Sequence, residues 1–427
     1  MKNFLAILFL IPLTVLSQEA GTWSGQGEVG FEYRRFESDV NIQNADTGVA
    51  ILSRVQSSFE TDVYRHVFRA FGRVDQKDND RSNVIVEDGY FSMLFGEGSN
   101  WKVLAGYKLF NWTATEAFHP ADQINSRNYD SNVESLEKKG EVTIELERTL
   151  ENGSFALYFF PKFEDPIFPG NRSRLGFGAD LERVIWVDGG NATTNQNWGV
   201  QFGGRFSFTL LEADFSFHFL HHLDRSFPII GTHRYTMLGG TAIPTAFPTT
   251  PYYFRSNQIG MTAVIPWESF LFKIEAASRK FENDLLIYTV NGLRRPEDNT
   301  EVALGTEWSI AHDSGAETYF YLESQMMFGP TEERMEEMSL FQSDLFLGLR
   351  YAFNDIMGKE IFFSTIMDVK RSHEYLFNIS YSQRLSDIWK IKTGLRHYDA
   401  PQKEATVKGL ELYDGDSYAY LTVTRFF

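Results

Sequence analysis

Polar and apolar residues alternate with a period of two along most of the chain from Trp23 to Phe427. Successive side chains of a β-strand point to opposite faces, so this pattern predicts strands with one polar and one apolar face. About eighteen such segments follow one another, and sixteen is also compatible with the pattern. The sequence therefore predicts an all-β protein.

The gaps between the predicted strands alternate in length. The short ones lie at 60–62, 96–100, 151–154, 210–212, 266–269, 312–315, 354–359 and 385–387. The gaps between them are mostly longer and lie at 38–48, 75–83, 112–138, 162–196, 224–253, 282–299, 328–341 and 399–415, with a tight one near 371–374. Long loops at one end and short turns at the other are typical of a transmembrane antiparallel β-barrel, with long outer loops and short periplasmic turns.

The two ends of the chain favour the same class. Lys2 and the apolar run Phe4–Leu16 predict a signal peptide over residues 1–17, with cleavage after Ser17 or, alternatively, after Ala20. Residues 18–427 then form a single barrel domain. We expect no N-terminal plug domain, so any plug must be an inward-folded loop. A soluble sandwich or propeller would explain the alternation, but not the signal, the terminal strand and the turn asymmetry together.

Composition narrows the class further. The chain has no cysteine, which excludes disulfides and a lipid anchor on an N-terminal cysteine. It has 39 Phe, 19 Tyr and 8 Trp, as expected for a lipid-facing band with aromatic girdles. The net charge of −17 argues against a nucleic-acid partner.

Basic residues mark the polar face of several strands. Arg65, Arg69 and Arg73 share one face of a strand, and an arginine on the lipid side would cost roughly 2–4 kcal/mol at the bilayer midplane. We therefore assign this face to the lumen. The same argument predicts a basic, pore-lining wall made of Arg34, Arg54, Arg65, Arg69, Arg73, Lys102, Lys108, Arg384, Lys390, Lys392 and Arg396. The alternative is that lumenal charges only satisfy one another.

The segment 112–138 is a candidate constriction loop. It is long, follows the fifth predicted strand and contains several polar turn signals. We predict that it folds inward and, with Glu141, Glu145 and Glu147, sets an acidic face against the basic wall. Its candidate site residues are Trp112, Glu116, Asp122, Arg127, Asp130 and Glu134.

The same loop carries a family resemblance. Its stretch Phe110-Asn-Trp-Thr-Ala-Thr-Glu-Ala-Phe-His-Pro-Ala-Asp-Gln-Ile-Asn-Ser-Arg-Asn-Tyr-Asp130 resembles a segment of poorly characterised porin-like outer-membrane barrels. The matching positions are Trp112, Glu116, Phe118, Pro120, Asp122, Asn125, Arg127 and Tyr129, whereas Thr113, Ser126 and Asn128 depart from the usual glycine, proline and aspartate. The resemblance implies a channel-forming protein of mostly unassigned substrate.

The last strand is similar to the insertion signals of outer-membrane barrels. It keeps Leu421, Val423 and the terminal Phe427, but Arg425 occupies a position that is usually apolar. Insertion by the barrel-assembly machinery is therefore the expectation.

Other motifs predict little chemistry. Gly25–Gly30 matches a dinucleotide fingerprint in letters only, because it lies within a strand. His218 and His222 would stand about 13 Å apart on a strand, too far for one zinc ion. Acidic loop residues lack the spacing of a calcium loop. We expect no metal, no cofactor and no enzymatic activity.

The sequence favours a passive porin-like channel in the outer membrane of a Gram-negative cell, in contact with lipid and lipopolysaccharide, for small hydrophilic and possibly anionic solutes. One alternative is a non-conducting barrel that scaffolds a surface or envelope complex through its outer loops. The uncharged segment 238–254, rich in proline and aromatic residues, keeps that alternative open as a site for a protein partner. A second alternative is a transporter of hydrophobic compounds, which a charged lumen disfavours.

Overall fold

A computed structural model describes residues 21–37, 46–176, 180–188, 191–193, 199–226, 228–282, 284–371, 374–402 and 407–427. The predicted signal peptide, residues 1–17, lies outside the described residues.

Eighteen antiparallel strands form one closed barrel. Each strand pairs with its neighbours in the ring, and β18 pairs with β1 to close it. The strands are β1 Thr22–Phe36, β2 Thr47–Glu60, β3 Tyr64–Asp75, β4 Asn83–Phe95, β5 Trp101–Lys108, β6 Glu141–Leu150, β7 Gly153–Phe160, β8 Gln201–Leu210, β9 Ala213–Leu223, β10 Thr250–Trp267, β11 Phe270–Phe281, β12 Asn299–Ala311, β13 Glu317–Phe328, β14 Ser343–Ala352, β15 Glu360–Asp368, β16 Tyr375–Ser386, β17 Trp389–Asp399 and β18 Tyr418–Phe426. The predicted all-β barrel and its strand number are confirmed.

The two faces of the strands differ in the way that the alternation predicts. On β1, Val29 and Phe31 are 42% and 46% exposed on the outside of the ring, whereas Glu32 and Arg34 are 8% and 6% exposed. The exterior therefore presents large apolar side chains and the interior presents charged ones. This distribution is the reverse of a soluble protein, in which apolar residues fill the core.

Short turns and long loops segregate to opposite ends, as predicted. At the end where β1 begins, the turn end, connections are as tight as the one between Leu150 and Gly153. At the other end, the loop end, nine loops follow the odd-numbered strands. They are L1 (37–46), L2 (76–82), L3 (109–140), L4 (161–200), L5 (224–249), L6 (282–298), L7 (329–342), L8 (369–374) and L9 (400–417).

The loops contain most of the small elements. An α-helix, Glu332–Met338, lies in L7, and 3-10 helices span Glu97–Ser99 and Gly409–Tyr413. Short strands occur at Arg127–Asn128 and Glu137–Lys138 in L3, Ile185–Asp188 and Asn191–Thr193 in L4, Ile229–Gly231, Tyr235–Leu238 and Thr241–Pro244 in L5, and Ile287–Thr289 and Gly292–Arg294 in L6. None of the helices in the described residues has the length and hydropathy needed to cross a bilayer.

Candidate functional site

L3 runs through the interior of the barrel to strands well away from its own. The backbone N–H groups of Ala114 and Thr115 donate to Glu275 on β11 at 2.5 and 2.9 Å. Those of Glu116 and Ala117 donate to Glu323 on β13 at 2.6 and 2.9 Å. L3 leaves the ring between β5 and β6, so these bonds require it to cross the lumen.

The first part of L3 is held by aromatic packing. Trp112 is buried, lies 4.9 Å from the His218 ring and receives the guanidinium of Arg205 at 5.0 Å from its ring centroid. Phe110 packs edge-on against Trp112 and Tyr158. Two sets of contacts therefore fix the position of L3. One is the aromatic packing around Trp112, and the other is the set of hydrogen bonds to the carboxylates of Glu275 and Glu323.

L4 also enters the barrel and pairs with L3. The N–H of Tyr129 donates to the carbonyl of Ile167 at 2.8 Å, and the N–H of Ile167 donates to the carbonyl of Arg127 at 3.0 Å. Farther along L4, Arg174 donates to Asp416 in L9 at 2.7 Å. Sequence reasoning did not anticipate this second inward loop, since its contacts join residues far apart in the chain.

On β1–β3, the predicted basic residues lie beside acidic ones. The pairs are Arg34–Glu32 at 3.1 Å, Arg54–Glu28 and Arg54–Glu87 at 3.1 Å, Arg65–Glu60 at 4.0 Å, Arg69–Glu87 at 3.0 Å, Arg69–Asp88 at 2.8 Å, Arg73–Glu137 at 3.7 Å and Arg73–Glu32 at 3.9 Å. Arg65 is at the turn end, and more than half of its side chain is exposed.

The other predicted basic residues are distributed over two regions. Lys102 and Lys108 both pair with Glu145 on the adjacent β6, and Lys102 also pairs with Glu147. At the seam, Arg396 pairs with Glu134 of L3 and donates to the hydroxyl of Tyr418 at 2.9 Å. Lys390 is opposite Arg384, Lys392 is opposite Ser382, and Arg384 donates to the carbonyl of Asp387 at 3.0 Å.

The predicted separation of an acidic face from a basic wall is therefore wrong. Glu145 and Glu147 bind lysines on the next strand, and L3 places Glu134 and Glu137 beside arginines of the wall. The physical reason is desolvation: a charge that is taken out of water needs a close opposite charge or several hydrogen bonds. Placing acidic and basic side chains next to each other gives each buried charge an opposite charge and hydrogen-bond partners.

The predicted residues of the constriction loop mainly hold the loop in place. Glu116 pairs with Lys273 at 2.7 Å, Asp122 with Lys138, Asp130 with Arg81 at 3.4 Å and Glu134 with Arg396, while Arg127 donates to the carbonyl of Asp122 at 2.6 Å. Different residues of L3 face free space, namely Ser131, Asn132, Ser135 and Glu137. The short polar side chains of Ser131, Asn132 and Ser135 carry no sequence signal beyond lying in the predicted loop.

These L3 residues and the β18–β1–β2–β3 wall enclose a cavity of about 250 Å³. We call it the seam cavity; the wall supplies Glu28, Gly30, Glu32, Arg34, Leu52, Arg54, Phe71, Arg73 and Thr424. A second cavity of about 350 Å³ toward the turn end shares Glu28 and Arg54 with it. A third, of about 20 Å³, lies toward the loop end and shares Arg34. The three cavities follow one line of charged residues along the wall.

Two loop residues near the loop end of the seam cavity, Asp130 and Arg81, have shifted pKa values. Burial raises the pKa of Asp130 to about 6, against the opposing effect of Arg81. Burial, followed by the guanidinium groups of Arg34 and Arg73, lowers the pKa of Arg81. The junction of L2 and L3 thus concentrates positive charge close to a carboxylate that can be neutralised near neutral pH.

The histidines of β9 do not assemble a metal centre in the described part of the chain. The side-chain amide N–H of Gln258 donates to Nε2 of His218 at 2.9 Å, and the His218 ring packs on Trp112. Among the described residues, no group of three or more histidine, cysteine, aspartate or glutamate side chains is placed to hold a metal ion.

Comparison with known proteins identifies the fold but no close relative. No family model matches the chain, and no curated protein matches it. Among solved structures, the chain is similar to a BenF-like porin from Pseudomonas fluorescens Pf-5, with 6% identity, 95% of this chain and 98% of that chain covered, and a TM-score of 0.53. The chain is also similar to OccAB3 of Acinetobacter baumannii, with 8% identity, 95% of this chain and 99% of that chain covered, and a TM-score of 0.52. For OccK5 (OpdH) of Pseudomonas aeruginosa the identity is 9%, the coverage is 95% of this chain and 98% of that chain, and the TM-score is 0.51.

Proposed function

We propose that the protein is a channel in the outer membrane of a Gram-negative cell, through which small hydrophilic solutes, anions included, diffuse passively. The observation that carries this proposal is a pair of cavities that share the charged residues Glu28 and Arg54, inside a closed barrel whose exterior is apolar. An apolar exterior suits lipid, and a charged interior suits water and polar solutes. The solved porins of similar fold support the same assignment.

The proposed orientation follows from the loops. The turn end faces the periplasm and the loop end faces outward, where the loops meet lipopolysaccharide. The signal peptide and the terminal strand would direct export and insertion by the barrel-assembly machinery.

In the proposed mechanism, L3 and L4 narrow the lumen and leave the solute a route along the β18–β1–β2–β3 wall. A solute would pass Arg34 and Arg73, then Glu28 and Arg54, and leave at the turn end. Alternating charges at hydrogen-bond distances can replace the water that a polar solute loses, whereas an apolar solute gains nothing from them. A hydrophobic-compound transporter is therefore disfavoured.

Planar-bilayer recording of the refolded protein tests the proposal. We expect stable conductance steps and, in a KCl gradient, a reversal potential that shifts toward cation preference in an Arg54→Gln/Arg73→Gln variant. Silence from a correctly folded barrel, or unchanged selectivity in the variant, would contradict the channel or its route, respectively.

A second candidate function, a barrel that scaffolds a protein complex, is favoured by one observation. The ribbon in L5, Tyr235–Leu238 paired with Thr241–Pro244, exposes Leu238 and the following Phe247 by 67% and 84%. Co-purification from native membranes with and without residues 236–247 discriminates this candidate from the channel.

A further inference from the structure

The route along the β18–β1–β2–β3 wall, the wall route, narrows sharply toward the loop end. The seam cavity has a volume of about 250 Å³, whereas the cavity that follows it toward the loop end has a volume of about 20 Å³. We call this smaller cavity the outer void. A single water molecule needs roughly 10–15 Å³ of free volume, so the outer void holds about one water molecule. An organic solute does not fit through it in this arrangement.

A short segment of L4 helps to close the outer void. Residues 172–175 supply part of its lining, and the barrel wall, L2 and Asp130 of L3 supply the rest. Ser173, Arg174 and Leu175 are buried, whereas Arg172 is exposed. We call residues 170–176 the L4 tip. The tip is thus a loop segment whose buried side chains lie on the wall route.

Arg174 ties the L4 tip to three other parts of the chain. Its Nε donates to the carboxylate of Asp416 at 2.7 Å. Its Nη2 donates to the carbonyl oxygens of Gly415 at 2.7 Å and of Glu37 at 3.2 Å. Its guanidinium carbon lies 5.1 Å from the centroid of the Phe36 ring. One buried side chain therefore joins L4 to L9, to L1 and to β1.

The other contacts of the tip also come mainly from side chains. The Ser173 hydroxyl donates to Asp130 at 2.9 Å, and Leu175 packs into a buried apolar cluster formed with L3, L9 and β14–β18. The backbone of the tip forms a local turn, in which the N–H of Ser173 donates to the carbonyl of Gly170 at 3.1 Å. By contrast, Ile167, just before the tip, is paired with the backbone of L3.

This mode of attachment separates the tip from the barrel strands. A strand is released only when a whole ladder of backbone hydrogen bonds breaks, whereas a segment held by a few side chains can open locally while the rest stays folded. The pairing of Ile167 with L3 defines the point before which L4 stays in place. The tip can therefore move without unfolding the barrel.

We propose that the L4 tip is a lid on the wall route and that Arg174 is the latch that holds it closed. The inference rests on the proposed function and adds a step of regulation to it. In the open state Arg174 leaves L9 and L1, Ser173 leaves Asp130, and the tip moves away from β1. L3 stays in the lumen, because its own hydrogen bonds go to Glu275 and Glu323. A solute then enters the seam cavity from the loop end.

A disulfide that fixes the lid tests whether it must move. The chain has no cysteine, so an Asp130→Cys/Ser173→Cys pair forms one defined bond. The two native side chains meet at 2.9 Å, which suits the short reach of a disulfide. In planar bilayers, the oxidised double variant should be open at least fivefold less of the time than the same protein after reduction. The two single variants should not respond to oxidant or reductant. Equal opening before and after reduction, with the disulfide verified by mass, would overturn the lid.

A second measurement follows the lid without requiring conduction. The buried thiol of a Ser173→Cys variant should react with a hydrophilic maleimide only while the lid is open. Adding Arg174→Ala should speed this labelling at least tenfold, and adding Arg174→Lys, which keeps the charge but not all of the hydrogen bonds, should speed it less. Arg172→Ala removes the same charge at an exposed position two residues away and should leave the rate unchanged. Heat-modifiability on gels verifies that each variant is folded. Equal labelling rates with Arg174→Ala and with Arg172→Ala would overturn the latch.

The two proposals can fail separately. Faster labelling with Arg174→Ala, but no conductance in any variant, would retain the lid and reject the channel. Conductance that neither the disulfide nor Arg174→Ala alters would retain the channel and reject the lid.

Discussion

On the β11–β13 side of the barrel, the buried carboxylates of Glu275 and Glu323 are saturated by backbone N–H groups of L3. On the β1–β3 side, the buried guanidinium of Arg73 has carboxylates near it but no hydrogen bond to Nε or Nη1 in the described structure. Both sides bury charge, but the carboxylates of Glu275 and Glu323 have hydrogen-bond partners, whereas Nε and Nη1 of Arg73 have none among the described residues. The comparison teaches that buried charges in one barrel differ in how completely their hydrogen-bonding atoms are paired.

The largest expected effect comes from releasing L3. In a Glu275→Ala/Glu323→Ala variant the four N–H groups of residues 114–117 lose their acceptors, and hydrogen bonds to charged groups contribute about 1.5–3 kcal/mol each. L3 should leave the lumen, and single-channel conductance should rise severalfold. Glu360→Ala, which removes a partner of Arg350 near the turn end, is the control and should conduct like the parent. Unchanged conductance in a folded double variant would show that these carboxylates do not hold the loop.

The next effect concerns predicted pore-lining lysines that serve the fold. Glu145 is 1% exposed and pairs with Lys102 and Lys108. Lys108→Met removes one of the two partners and should lower the free energy of unfolding by roughly 2–3 kcal/mol, measured by urea unfolding from lipid vesicles. Lys390→Met should cost far less, because its neighbour in the strand register is the like-charged Arg384. Equal losses in the two variants would contradict a specific role for the Glu145 pairs.

An intermediate effect should appear on changing pH. Burial raises the pKa of Asp130 from 3.8 to about 6, so between these values the folded state binds a proton that the unfolded state has released. The free energy of unfolding should therefore fall as pH rises through this window, by at most about 3 kcal/mol, and level off above it. Asp130→Asn should remove this slope, and Asp313→Asn in an exposed turn should retain it.

The same titration should alter selectivity. Protonation of Asp130 removes one negative partner of Arg81, which keeps Asp75 at 3.0 Å and Glu32 at 3.7 Å and lines the same small cavity as Arg34. Anion preference, measured from the reversal potential, should increase below about pH 6 in the parent but not in Asp130→Asn. An equal increase of anion preference in the parent and in Asp130→Asn would show that titratable groups other than Asp130 cause it.

The smallest effect is expected for the L5 ribbon. Its residues Met237 and Leu238 are exposed and are not among the residues that line the seam cavity. Replacing residues 236–243 by a short Gly-Ser linker should leave conductance and selectivity within error of the parent. A changed conductance would show that L5 contributes to the channel mouth. Conduction would then depend on more than the β1–β3 and β11–β13 sides of the interior.

Part of the site was predictable from sequence, and part was not. The placement of Arg54 and Arg73 among lumenal residues follows from the apolar alternation around them, because a barrel strand has only two faces. Their partners did not follow, because Glu137 reaches Arg73 only through the path of L3. The predicted site residues Asp122 and Glu134 turned out to hold the loop, whereas Ser131 and Ser135 face the cavity.

The sequence by itself determined the barrel and the two ends with their short and long connections, and it narrowed the number of strands to eighteen or sixteen. These features are local, since side-chain direction repeats every two residues and a turn involves only a few. Tertiary structure alone decided which charges pair, how L3 and L4 cross the lumen and where free space remains. Such contacts join residues as distant as Ala114 and Glu275, and their geometry depends on closure of the whole ring rather than on any local pattern.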